Sequence, residues 1–137
     1  MRPVALHPSR LGPQALALLR ERGLATLSLV RADGSPHVTA VGFTWDADAG
    51  LARVICDGRS VKARLAARGG PAAISQIDGP RWLTLEGTAS VSAEPERVAD
   101  AVRRYSERYR VPRENPTRVT IEIAVRSVLG PAAFLTR

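Results

Sequence analysis

LATLSLVRADGSPHVTAVGFTWDADAGLARVIC, residues 24–56, decides the fold class. Leu24 to Ala32 reads as an apolar strand, and Asp33-Gly34-Ser35-Pro36 is a turn by composition. His37 to Trp45 reads as the return strand, Asp46 to Gly50 as a second turn, and Leu51 to Cys56 as the next strand. Strands joined by turns this short pair antiparallel, because a parallel pair needs a crossover of a dozen residues or more.

On the N-terminal side, Leu11, Ala15, Leu18 and Leu19 fall on one face of a helix spanning residues 11–22, with Pro13 in its first turn and Gly23 at its stop. On the C-terminal side, RVICDGRSVKARL (53–65) passes from a strand through an Asp57-Gly58 turn into a short basic helix. Gly69-Gly70-Pro71 breaks the chain, and Ala72 to Ile77 reads as a strand. After the Asp78-Gly79-Pro80 turn, Arg81 to Ala93 alternates, with Leu83, Leu85, Ala89 and Val91 on one face. Gly87 interrupts that pattern and marks a bulge or a barrel bend. Pro95 to Tyr109 is the clearest helix, acidic early at Glu96 and Asp100 and basic late at Arg103, Arg104 and Arg108. Arg118 to Leu129 is a last alternating strand. The expectation is a mixed α+β chain: six strands in a mostly antiparallel barrel with three flanking helices, as one domain over residues 1–137.

Composition narrows the function classes. The chain has 137 residues, is 45% hydrophobic and carries a net charge of +7. Lys62 is its one lysine, against 19 arginines. The positive field attracts anions, but the arginines are scattered, and two Trp, two Tyr and two Phe make a poor stacking platform for nucleic acid. No apolar run reaches the ~20 residues of a membrane span, and no secretory signal pattern opens the chain, so a cytoplasmic location is expected. One cysteine and two histidines, His7 and His37, do not make a usual structural zinc site. Cys56 reads as a structural thiol within a strand.

No nucleophile–base pair, paired-carboxylate motif or P-loop is present, so no catalytic residue is named. A chain of this kind is still an enzyme if a cofactor carries the chemistry. It then needs a phosphate anchor, and Ser60, Val61, Lys62 and Arg64 are the candidates, with Ser60 as helix N-cap. Lys62 stands at the end of the helix that the dipole disfavours for a cation; it either meets an anion or extends into solvent. The small-residue strand His37-Val38-Thr39-Ala40-Val41-Gly42 offers a surface that a planar ring can approach closely.

Three stretches together carry a family resemblance: LATLSLVRADGSPHVTAVGF (24–43), RVICDGRSVKARL (53–65) and AAISQIDGPRWLTLEGTASV (72–91). It continues through RYSERYRVPRENPTRVTIEI (104–123). The chain resembles the split β-barrel flavin/deazaflavin oxidoreductases, the superfamily of pyridoxamine-phosphate oxidase. Within it the pattern is most similar to the branch using coenzyme F420, and there to the F420H2-dependent biliverdin reductases. The resemblance implies a homodimer with the cofactor in a groove between subunits. It implies that Ser60, Val61 and Lys62 hold the phosphate, flanked by Ile55, Cys56, Asp57 and Gly58, and that Val38 to Val41 line the ring beside His37. Gln76, Ile77, Asp78, Gly79 and Trp82 would border the cofactor, from the other subunit. The implied acceptor is a tetrapyrrole or another unsaturated compound, whose carboxylates Arg81 would pair; Arg108 and Arg110 are further candidates. FMN in place of F420, and a noncatalytic flavin, deazaflavin or haem binder, are the alternatives.

Overall fold

The computed structural model describes residues 2–137. It contains eight strands: β1 Pro3–Leu6, β2 Ala25–Val30, β3 Pro36–Val41, β4 Thr44–Asp46, β5 Leu51–Asp57, β6 Pro71–Asp78, β7 Arg81–Ser92 and β8 Arg118–Pro131. Four α-helices flank them: α1 Pro13–Arg20, α2 Val61–Ala67, α3 Pro95–Arg108 and α4 Ala132–Thr136. Every strand pair is antiparallel, in the order β3-β2-β6-β7-β8-β5-β4. β8 is the spine: one edge pairs with β7, the other with β5 and then with β1.

The expected architecture is present, with eight strands where six were expected. One added strand comes from the segment His37–Trp45, which is two strands rather than one. β3 pairs with β2 and β4 pairs with β5, at opposite ends of the strand order. Only Gly42 and Phe43 separate them. Three Cα–Cα steps span at most about 11 Å, so the two ends of the sheet must curl toward each other. That is a barrel split along one seam. The other added strand, β1, and the short helix α4 occupy the termini, where short segments give little periodicity.

The crossover is fixed from α3. Arg108 donates to the carbonyls of Phe43 (2.6 Å), Glu21 (2.8 Å) and Leu18 (3.4 Å) and to Gln76 Oε1 (2.8 Å). Its guanidinium lies 4.6 Å from the centre of the Phe43 ring and 5.2 Å from that of Tyr109. The Tyr109 hydroxyl donates to Gly23 O (2.7 Å) and accepts from Phe43 N–H (3.2 Å). Burial lowers the Arg108 pKa and raises that of Tyr109. Phe43 itself is fully buried. One cation therefore ties the end of α1, the crossover, β6 and α3 together.

The barrel interior is filled by the inward residues of each strand, including Leu27, Ile74, Leu83, Leu85, Ile121, Ile123 and Val128, all fully buried. Gly87 does not interrupt the alternation of β7; it holds an inward position between Leu85 and Ala89. The bulge expected there is real but the extra residue is Arg126 of β8, since Glu86 pairs with Ser127 and Gly87 with Val125. A Cβ at Gly87 would stand 2.0 Å from Ala124 O. Gly87→Val is accordingly expected to lower the urea unfolding free energy by about 3 kcal/mol or more, while Thr88→Val on the exposed face changes it by less than about 0.5 kcal/mol. Equal unfolding midpoints for the two variants would contradict this packing.

Candidate functional site

β5 ends at Asp57, and the chain turns through Gly58 into α2. Ser60 is the N-cap: its hydroxyl accepts from Ala63 N–H (3.2 Å) and donates to Asp57 O (2.7 Å). α2 docks through buried Ala63 and Ala66, which leaves Lys62 half-buried on the other side. There Lys62 joins Ala40, Val41 and Gly42 from the end of β3, Ile55, Cys56 and Asp57 from β5, Tyr105 from α3, and Asn115 and Arg118 from the approach to β8. These residues wall a cleft of about 300 Å³.

The charge balance of the cleft is set by Asp57, the one carboxylate in its wall among the described residues. Asp57 does not pair with Lys62. Its oxygens accept from Arg59 N–H (2.7 Å), Arg59 Nε (3.0 Å), Thr117 Oγ1 (2.7 Å) and Asn115 Nδ2 (3.3 Å). The Arg59 hydrogen bond, with those from Thr117 and Asn115, holds the Asp57 carboxyl well below the usual range. Lys62 has no ion-pair partner among the described residues, and Arg118 donates to the Arg113 carbonyl (2.5 Å) without meeting a carboxylate. Two cations thus face the cleft unneutralised, beside the N–H groups of the first turn of α2. Ala40, Val41 and Gly42 make a part of the wall free of long side chains. Tyr105 and Tyr109, with ring centres 4.8 Å apart, back that wall; a Cβ at Gly42 would lie 3.1 Å from Tyr109 and 3.2 Å from Tyr105.

The cleft brings together Ala40, Val41, Ile55, Cys56, Asp57 and Lys62 of the residues expected from sequence. Burial raises the Cys56 thiol pKa, with the Ser60 hydrogen bond opposing, as suits a structural thiol. Thr39 is half-buried and Val38 exposed on the same strand, Gly58 and Ser60 shape the turn, and Val61 and Arg64 are exposed on α2. His37 stands at the far end of β3 from the cleft, with its Nδ1 3.3 Å from Arg31 Nη2. The second group lies apart within one chain. Gln76 is buried, its amide held by Arg108 and Leu18 O. Ile77 is 69% exposed. Asp78 pairs with Arg81 across the hairpin at Gly79, and Arg81 also pairs with Glu21 (3.1 Å). Trp82, opposite Ile77, is half-buried. None of these lines the Lys62 cleft. Tyr105, Asn115 and Arg118 do, although sequence reasoning missed them: Tyr105 reads as core on a helical face, and Asn115 and Arg118 reach the cleft only through the antiparallel pairing of β8 with β5.

The family's sequence profile, pyridoxamine 5'-phosphate oxidase, matches residues 11–130. This chain belongs to that family. It is 54% identical over 129 residues to the F420H(2)-dependent biliverdin reductase of Mycobacterium tuberculosis (strain CDC 1551 / Oshkosh), covering 94% of each chain. Among solved structures, one described as an F420 reductase superposes with a TM-score of 0.67 at 26% identity, over 82% of this chain and 93% of that one. The haem storage protein HutZ of Vibrio cholerae gives 0.70 at 19% identity, over 88% and 93%, a likeness of fold alone. Among the described residues no group of His, Cys, Asp and Glu forms a metal site, and no helix is long and apolar enough to cross a membrane.

The Asp57 hydrogen bonds give a pH dependence. A carboxyl lowered in the folded state adds stability above its unfolded pKa, near about 3.9, and that stability is lost as the pH falls through the folded value. Acid titration of the unfolding midpoint should therefore fall less steeply below about pH 4 for Asp57→Asn than for the parent. Parallel curves would show that Asp57 is not held as described.

Proposed function

We propose that the chain is an F420H2-dependent reductase that delivers a hydride to an unsaturated acceptor, with biliverdin, reduced to bilirubin, as the leading substrate. The observation that carries this reading is the 54% identity to an F420H(2)-dependent biliverdin reductase over 94% of both chains. The cleft supports it with a matching donor set: unpaired Lys62 and Arg118 beside a small-residue wall suit a ligand made of a planar ring and a phosphate.

Lys62 and the first-turn N–H groups of Val61 and Lys62 would hold the phosphate, with Ser60 and Gly58 fixing the turn that presents them. Ala40, Val41 and Gly42 would let the ring lie close to the backbone, and Val38, Thr39, Ile55, Cys56 and Asp57 complete its surroundings. The bound coenzyme would supply the hydride. The protein would supply orientation and proximity, which convert an encounter between two molecules into an ordered one. Asp57, kept ionised by Arg59, Thr117 and Asn115, leaves Lys62 free for the ligand. Arg81 would be the partner for an acceptor carboxylate, exchanging Asp78 or Glu21 for that group.

We further propose a homodimer, in which the partner subunit brings the segment Gln76–Gly79 with Trp82 to the cleft. The exposure of Val38 (56%) and Ile77 (69%), together with the unpaired outer edge of β3, supports this. Sedimentation equilibrium should give twice the chain mass at micromolar concentration; a single chain mass would reject the dimer. A cytoplasmic location fits the single thiol, which needs no oxidising compartment.

Fluorescence titration of F420 tests the anchor. A charge-assisted hydrogen bond is worth about 1.5–3 kcal/mol, so Lys62→Ala is expected to weaken F420 binding by roughly ten- to a hundredfold. Its unfolding midpoint should stay near the parent's, because Lys62 makes no ion pair among the described residues. Unchanged affinity would reject the anchor.

A further inference from the structure

Arg118 opens β8 directly opposite Asp57 in the antiparallel pairing with β5. Opposite charges that face each other across two strands attract, yet these two do not pair. Asp57 is taken by Arg59, Thr117 and Asn115, and the Arg118 guanidinium turns instead to the Arg113 carbonyl, to which its Nη2 donates (2.5 Å). That acceptor is neutral, and a guanidinium carries five N–H donors. Arg118 is half-buried, and no carboxylate among the described residues neutralises it.

Arg118 also lines two clefts. One is the Lys62 cleft; the other, of about 390 Å³, lies along the loop between α3 and β8. Tyr105, Pro112, Asn115 and Arg118 belong to both walls, so the two clefts adjoin. The second wall adds Arg110 and Arg113, which make no ion pair among the described residues, and one carboxylate, Glu114, which makes none either. Val111, 80% exposed, contributes apolar surface beside the Tyr105 and Pro112 rings. Three arginines around apolar groups fit the carboxylate-bearing edge of a large, mostly apolar ring system. Lys62 and the N–H groups of α2 already match a phosphate, whereas the planar fork of an arginine matches a carboxylate. Of the other arginines considered for an acceptor, Arg108 is consumed by three carbonyls and the Gln76 amide oxygen, and Arg81 lines neither cleft of its own chain. Biliverdin has two propionates, so a single arginine at Arg81 leaves one of them without a partner.

We propose that Arg118, with Arg110 and Arg113 beside it, holds a propionate of the acceptor in this second cleft and so selects acidic acceptors; the inference rests on the reading of the chain as a tetrapyrrole reductase. The test is a binding titration without turnover. Protein saturated with oxidised F420, which has no hydride to give, would be titrated with biliverdin and with biliverdin dimethyl ester, following the red absorption band of the pigment. The parent should bind the acid about tenfold or more tighter than the ester. In Arg118→Gln the affinity for biliverdin should fall by about tenfold or more, and that for the ester by less than about twofold. The double variant Arg110→Gln, Arg113→Gln, at two exposed positions, should weaken biliverdin in the same direction with an unchanged melting temperature, which separates lost binding from lost fold. F420 affinity should fall far less in either variant than in Lys62→Ala. Equal binding of acid and ester by the parent, an equal loss of both in Arg118→Gln, or a loss of F420 affinity as large as in Lys62→Ala would each overturn the proposal. A parent that shows the predicted pattern without oxidising F420H2 supports the carboxylate site and rejects the reductase. A parent that reduces biliverdin while Arg118→Gln binds it unchanged does the reverse.

Discussion

The structure depends on the Arg108 guanidinium at the barrel seam. Two residues, Gly42 and Phe43, join strands at opposite ends of the sheet, so their geometry sets how far the barrel closes. A short crossover has few backbone partners of its own. Arg108 and Tyr109 supply them, taking both the carbonyl and the N–H of Phe43 and anchoring these to α1, β6 and α3. The cation is partly desolvated, and it stays charged through its hydrogen bonds to carbonyls and the faces of two aromatic rings. Removing one partner would leave that charge or the Gln76 amide unsatisfied, which is why such a network is costly to break.

The Lys62 cleft follows from the seam, since Gly42 belongs to its wall. There the acid is consumed by neighbours and the bases are left over. Asp57 is occupied by Arg59, Thr117 and Asn115, so Lys62 faces the cleft unpaired.

The alternating strands, the amphipathic α3 and the Ser60 turn were legible in the sequence because each has a local signal: period two, period 3.6, or a turn residue. The division of His37–Trp45 into two strands was not, because it shows in the change of pairing partner, which is a long-range property. Gly87 stands out in the sequence, but its reason, the approach of Ala124 O from β8, is a long-range contact. The same limit applied to the site. Ser60 and Lys62 stand on a contiguous motif and could be read directly. Tyr105, Asn115 and Arg118 stand more than forty residues away, in a stretch that carries the resemblance without marking any of them as a site residue. Gln76 shows the converse: a motif residue whose side chain the fold commits to Arg108 rather than to the Lys62 cleft.

The central claim, that this barrel uses reduced F420 to reduce a tetrapyrrole, is tested most directly by single-turnover absorbance. Purified protein, F420H2 and biliverdin would be mixed without oxygen, while the visible bands of oxidised F420 and of biliverdin are followed together. The account predicts that oxidised F420 appears as biliverdin disappears, in equal amounts and at a rate that rises with protein concentration. No change beyond the protein-free mixture, while F420H2 binds tightly, would contradict it.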